Sequence, residues 1–113
     1  MKANCHCGNV QITTLYIPNE VAQCNCSICR RYSACWAYFD SEDVVIQFEK
    51  EISLFYIWGD KEVEFHRCGL CGCVTHYITT AKCKDRITAI NMRMTTSEIL
   101  DSLPVRKIDG DKY

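Results

Sequence analysis

Glu62-Val63-Glu64-Phe65-His66-Arg67-Cys68-Gly69-Leu70-Cys71-Gly72 joins a strand to half of a metal site. Polar and apolar residues alternate from Glu62 to His66, the period of a half-buried β-strand. That strand delivers a CxxC-Gly turn, in which backbone N–H groups aim at the sulfurs and the glycine accepts a positive φ. The flanking chain continues the β pattern. Val44–Phe48 and Ile52–Trp58 are rich in β-branched and aromatic residues, and the charged residues Glu49-Lys50-Glu51 between them predict a hairpin. Gly59-Asp60 makes a turn, and Val74–Thr79 and Arg86–Met92 read as further strands. Upstream, Val10–Ile17 reads as a strand with Val10, Ile12 and Thr14 on one face, stopped by Pro18-Asn19. Val21-Ala22-Gln23 is extended, Arg30–Ala34 suits one helical turn, and Cys35–Phe39 is aromatic and strand-like. Thr95-Thr96-Ser97-Glu98 fits a capping box for a helix over Thr96–Ser102, ended by Leu103-Pro104, and Val105–Ile108 suits a last strand. The expectation is a mainly β domain of antiparallel sheets with one or two short helices.

The 113 residues fit one domain, whose modest core would gain from a metal site or cross-link. No repeat, low-complexity stretch or linker divides residues 1–113. Thirteen Lys and Arg against 14 Asp and Glu give no general electrostatic reason to expect nucleic acid or an anionic membrane as partner. Trp36, Tyr38, Phe39, Phe55, Tyr56 and Trp58 read as core and site wall, because an RNA-binding sheet would pair such aromatics with clustered cations. Ten cysteines would be a disulfide framework in a secreted chain. Met1–Cys7 carries no apolar run like a signal peptide, and no stretch approaches the ~18–20 apolar residues of a membrane span. The expectation is a reduced, cytoplasmic protein.

The cysteines then sort into groups. Cys5-His6-Cys7-Gly8 and Cys68-Gly69-Leu70-Cys71-Gly72 supply four thiols as two short clusters, the pattern of a structural zinc that clips the start of the chain to its middle. Cys24-Asn25-Cys26-Ser27-Ile28-Cys29-Arg30-Arg31 is left as a second group. Cys24 and Cys26 project to one side of an extended segment, and Cys29 returns to it after a turn. Tetrahedral zinc wants sulfurs roughly 3.8 Å apart, and a closed site uses four of them; this stretch offers three. A zinc held by three thiolates keeps a position for water or an incoming thiol. Arg30 and Arg31 stand where they would offset the site's negative charge or hold a substrate carboxylate, although an arginine pair also suits a solvated face. A lone CxxC equally suits a redox pair, and Cys35, Cys73 and Cys83 suit small buried hydrophobes. His6, His66 and His76 have ordinary strand or loop roles available; His66, whose strand ends at the CxxC turn, is the best placed of them for proton transfer.

Cys5-x-Cys7-Gly8-x-Val10, Cys24-x-Cys26-x-x-Cys29-Arg30-Arg31, Phe65-x-x-Cys68-x-x-Cys71-Gly72 and Asp109-Gly110 together resemble the glutathione-dependent formaldehyde-activating family over nearly the whole chain. The resemblance implies a zinc-stabilised Mss4-like β domain with two zinc ions. Cys5, Cys7, Cys68 and Cys71 would hold the structural one, and Cys24, Cys26 and Cys29 the catalytic one. It implies a carbon–sulfur lyase resembling S-(hydroxymethyl)glutathione synthase, which joins glutathione and formaldehyde. A small thiol, glutathione foremost, would be its partner. The alternative is a non-catalytic zinc module that binds a protein or other partner. Strand edges left open in a small β domain are where a homodimer would form.

Overall fold

The computed structural model describes residues 1–110. Ten strands form two sheets. A three-stranded sheet runs β1 (Lys2–Asn4), β2 (Val10–Thr14), β5 (Val44–Phe48). A seven-stranded sheet has the order β10 (Val105–Ile108), β3 (Val21–Cys24), β4 (Trp36–Asp40), β9 (Ile87–Asn91), β8 (Val74–Thr79), β7 (Val63–Arg67), β6 (Leu54–Tyr56). Two short helices, α1 (Cys29–Tyr32) and α2 (Ser97–Ser102), complete the expected mainly β domain. Among the described residues no helix is long and apolar enough to cross a membrane.

Strand alternation divides the interior in two. Val10 and Ile12 of β2 face inward between exposed Gln11 and Thr13, and meet Ala37, Phe39 and Ile90 from the large sheet together with Met92 just after β9, Cys5 and Cys68. The odd-numbered residues of β4 serve this cluster. Trp36 projects from the opposite face, where it packs with Phe65, Ala89, Ala34 and Cys29. The two cysteine groups therefore lie on opposite faces of the large sheet, each set into its own apolar cluster.

Four expectations are corrected. Val44–Phe48 and the following strand do not form a hairpin: β5 pairs with β2, whereas β6 pairs with β7 in the other sheet. The connection crosses between sheets because buried Asn9 takes it up, its Oδ1 accepting from Lys50 N at 2.8 Å and Glu51 N at 3.0 Å. The sheets are not wholly antiparallel, since β10 pairs with β3 in parallel, Val105 against Val21 through Ile108 against Cys24. The strand begun at Val10 ends at Thr14, where the Thr14 hydroxyl donates to Tyr16 O at 2.7 Å and bends the chain away. Helix α2 starts one residue later than the capping box places it. Thr96 caps it by accepting from Ile99 N at 3.3 Å, because the Thr95 hydroxyl is engaged with Lys2 O of β1 at 3.0 Å.

Candidate metal centres

The first group forms where two tight turns meet. Gly8 and Gly72 hold φ of 84° and 81°, which lets the chain reverse directly after each cysteine pair. Gly8 N donates to Cys5 O at 3.1 Å and Gly72 N to Cys68 O at 3.0 Å, closing the turns. Backbone N–H groups then converge on sulfur: Val10 N lies 3.2 Å from Cys5 Sγ, and Leu70 N and Cys71 N lie 3.3 and 3.4 Å from Cys68 Sγ. Such donors stabilise thiolates, not thiols. The four sulfurs lie within 4.8 Å of one another. Cys7 Sγ stands 3.7 Å from both Cys5 Sγ and Cys68 Sγ, against the roughly 3.8 Å edge of a tetrahedron with metal–sulfur bonds of about 2.3 Å. Cys5, Cys7, Cys68 and Cys71 could thus hold a metal ion. Burial opposes ionisation of Cys71, yet the N–H groups of Cys73 and Cys7 and the neighbouring thiols outweigh it and bring its pKa down to about 5.

The second group draws Cys24 from the end of β3, Cys26 from the loop and Cys29 from the first turn of α1. Cys26 N approaches Cys24 Sγ at 3.5 Å and Cys29 N approaches Cys26 Sγ at 3.4 Å. These three sulfurs also lie within 4.8 Å of one another, and among the described residues no fourth His, Cys, Asp or Glu joins them. The donor set suits a soft or borderline metal ion. Burial, then the Cys26 side chain, push the Cys29 thiol up to about 12. Trp36 works against that rise. Its buried indole N–H has no acceptor at full hydrogen-bond geometry, and a loose donation toward Cys29 favours the thiolate.

The far end of the described chain shapes this loop. The parallel β3–β10 pairing carries Asp109 and Gly110 to it, where Asn25 Nδ2 donates to Asp109 Oδ1 at 3.2 Å and Gly110 N donates to Asn25 Oδ1 at 2.6 Å. Gly110 lies against Cys24 and Cys26 with no room for a side chain. Gly110 and Asn25 position the group, a role that spacing alone does not reveal.

Cavities flank the three sulfurs on two sides. One of about 440 Å³ is lined by Cys24 and Cys29 with three cations, Arg30, Arg93 and Lys107, and one carboxylate, Asp109. The other, about 490 Å³, is lined by Cys24 and Cys26 with Ile28, Trp58, Val63 and Phe65. The structure separates the adjacent arginines: Arg30 faces the first cavity, whereas Arg31 Nη1 donates to Ser27 O at 2.7 Å and lines neither. Arg93 and Lys107 lie far apart in sequence and come to one cavity through the turn after β9 and the pairing of β10 with β3.

Among the described residues no histidine joins either group, although His6 sits between Cys5 and Cys7 in the first turn. His66 bridges Ser53 Oγ at 2.7 Å and Glu64 Oε1 at 3.1 Å, and its ring stacks on His76 with centroids 4.6 Å apart. It lines neither cavity beside the second group. Cys35 packs in the core beside Gln23, as a small hydrophobe would, while Cys73 and Cys83 are half-buried.

No family model and no curated protein matches the chain. Among solved structures, the crystal structure of a Rhodobacter sphaeroides protein is similar, with a TM-score of 0.73 and 26% identity over 94% of this chain and 100% of that one. What fold and site together define is a small β domain with two thiol groups able to hold metal ions.

Proposed function

We propose that the protein is a zinc-dependent enzyme of the carbon–sulfur lyase type, acting on the adduct of a small thiol and an aldehyde, as the resemblance to the glutathione-dependent formaldehyde-activating family suggests. In this reading Cys5, Cys7, Cys68 and Cys71 hold a structural zinc, and Cys24, Cys26 and Cys29 hold a second. The observation that carries it is the convergence of three sulfurs, without a fourth protein ligand among the described residues, where two cavities meet. An all-cysteine donor set fits zinc.

Zinc held by Cys24, Cys26 and Cys29 would supply a coordination position at which an incoming thiol is favoured as thiolate. The protein's own groups supply orientation. Arg30, Arg93 and Lys107 gather cationic charge in the cavity beside Cys24 and Cys29, where a carboxylate-bearing thiol such as glutathione would anchor. The thiolate sulfur then forms a bond to the carbonyl carbon, the π pair passes to oxygen, and that oxygen takes a proton from water. Run in reverse, the hydroxyl loses its proton, the carbonyl re-forms and the carbon–sulfur bond breaks. Thiols kept free for metal suit the reducing cytoplasm.

A second reading, a non-catalytic zinc module that docks a partner, draws on edge strand β6, where Leu54, Phe55 and Tyr56 are all exposed. Metal content and chemistry separate the two. The enzyme reading expects two zincs per chain, one of them lost in Cys26→Ser with the fold intact, and faster adduct formation from glutathione and formaldehyde by NMR with the wild type than with Cys26→Ser. Equal rates with and without the protein, for formaldehyde and for an aromatic aldehyde alike, would leave the module reading in place.

A further inference from the structure

The two cavities that meet at Cys24 differ in chemistry. The cationic one would take the charged end of a thiol, but the second is walled chiefly by Ile28, Trp58, Val63 and Phe65, with Asp60 its one charged residue and no cation in its lining. Trp58 belongs to the loop between β6 and β7. Lys61 N closes that loop on Trp58 O at 3.1 Å, with Gly59 and Lys61 both at φ 62°, and the loop's Trp58, Gly59 and Asp60 line the cavity together with Cys24 and Cys26. Trp58 is 43% exposed beside a site of thiols. An exposed tryptophan in a concave, mostly apolar wall gains free energy when a ligand covers it. Formaldehyde carries only hydrogens on its carbonyl carbon, so its adduct would leave that wall in water.

We propose that the substrate is the adduct of an anionic thiol with an apolar aldehyde, its aromatic or branched aliphatic group lying against Trp58 while its carboxylates face Arg30, Arg93 and Lys107. The inference rests on the enzyme reading above and narrows it. Bond changes are those of thiol addition: the sulfur–carbon bond forms, the carbonyl π pair moves to oxygen, and a water proton completes the hydroxyl. The carbon keeps its hydrogen and its apolar group, and nothing is oxidised or reduced.

Stable thioethers stand in for the adduct. Calorimetric titration of the zinc-loaded protein with glutathione, S-methylglutathione and S-benzylglutathione should show the benzyl compound binding at least about tenfold tighter than the methyl one. Trp58→Ala should narrow that ratio to within about twofold, whereas Arg93→Ala should weaken both compounds and leave the ratio standing. Equal affinity for the two thioethers in the wild type overturns the proposal, while glutathione binding in the same experiment would keep the thiol reading. A benzyl preference untouched by Trp58→Ala overturns the assignment to this cavity. If none of the three compounds binds, the thiol reading itself fails and the inference falls with it.

Discussion

Gly110 lies so close to Cys24 that a β-carbon at position 110 would stand 2.4 Å from Cys24 Sγ and 2.8 Å from Cys26 Cβ. Real side chains do not tolerate such contacts, and the neighbours here are sulfur and backbone-proximal carbon, not the tip of a flexible chain. Gly110→Ala should therefore push the loop out of register with Cys29 and lower zinc from two ions per chain to one, with the β-sheet circular dichroism retained. The ion at Cys5, Cys7, Cys68 and Cys71 should remain, because that group lies across the large sheet. Two ions in the alanine variant would show that the loop yields without consequence.

Asn9 does for the first group what Gly110 does for the second. It is 2% exposed, accepts from Lys50 N and Glu51 N through Oδ1, and through Nδ2 donates to Glu51 O at 2.8 Å and approaches Cys68 Sγ at 3.6 Å. Truncation strands two backbone N–H groups and one carbonyl at a crossing between sheets. Asn9→Ala should destabilise the zinc-loaded protein by about 3 kcal/mol in urea titration, within the range for broken buried hydrogen-bond networks. A loss under about 0.5 kcal/mol would mean that water replaces the amide.

These two residues mark where the sequence stops being legible. Strand positions follow from local alternation, and cysteine groups from spacing, so the strands near Val10 and Val63 and the two thiol sets were readable, while the end of the first at Thr14 was not. Partner choice is a long-range property. Nothing near Phe48 says that β5 leaves for the small sheet, because the group that redirects it, Asn9, lies about forty residues earlier and looks like an ordinary loop residue. For the same reason nothing local marks Arg93 and Lys107: the turn after β9 brings the first, and the parallel pairing of β3 with β10 the second, to the cavity beside Cys24. The Asp109-Gly110 pair was visible, but its contact with Cys24 was not.

Proton release on metal uptake gives a further check. The Cys29 thiol, pushed up to about 12 chiefly by burial, carries its proton at neutral pH in the metal-free protein and must lose it to bind metal. Metal uptake releases that proton to the solvent, so lower proton activity favours binding, and affinity should rise with pH across the neutral range and fall on acidification. Calorimetric zinc titration of the Cys5→Ser/Cys7→Ser double variant, or of the full chain with the first site already filled, should show heats that depend on buffer ionisation enthalpy and correspond to at least one proton released. Heats independent of the buffer would mean that the triad is already ionised.

His76 supplies a test of stability against pH that does not involve sulfur. The ring is 1% exposed, stacked on His66 and hydrogen-bonded through Nδ1 to Thr75 Oγ1 at 2.8 Å. Burial first, and then the neighbouring His66, bring its pKa down to about 3 from an ordinary 6.5. The folded protein therefore holds His76 neutral where the unfolded chain is protonated. Above pH 6.5 both states are neutral and the group has no effect on the balance; below it the unfolded state binds the extra proton, and stability falls by about 1.4 kcal/mol per pH unit until the folded-state pKa is reached. Loss of any metal held by the cysteines in acid is shared by wild type and His76→Gln and cancels in their difference. The stability of the wild type relative to His76→Gln should thus decline by roughly 2 kcal/mol between pH 6.5 and 5. Over the same range the His76 ring resonances should hold still in NMR. A constant difference, or a ring that titrates, would show that the folded protein admits the proton and that the stack with His66 opens to receive it.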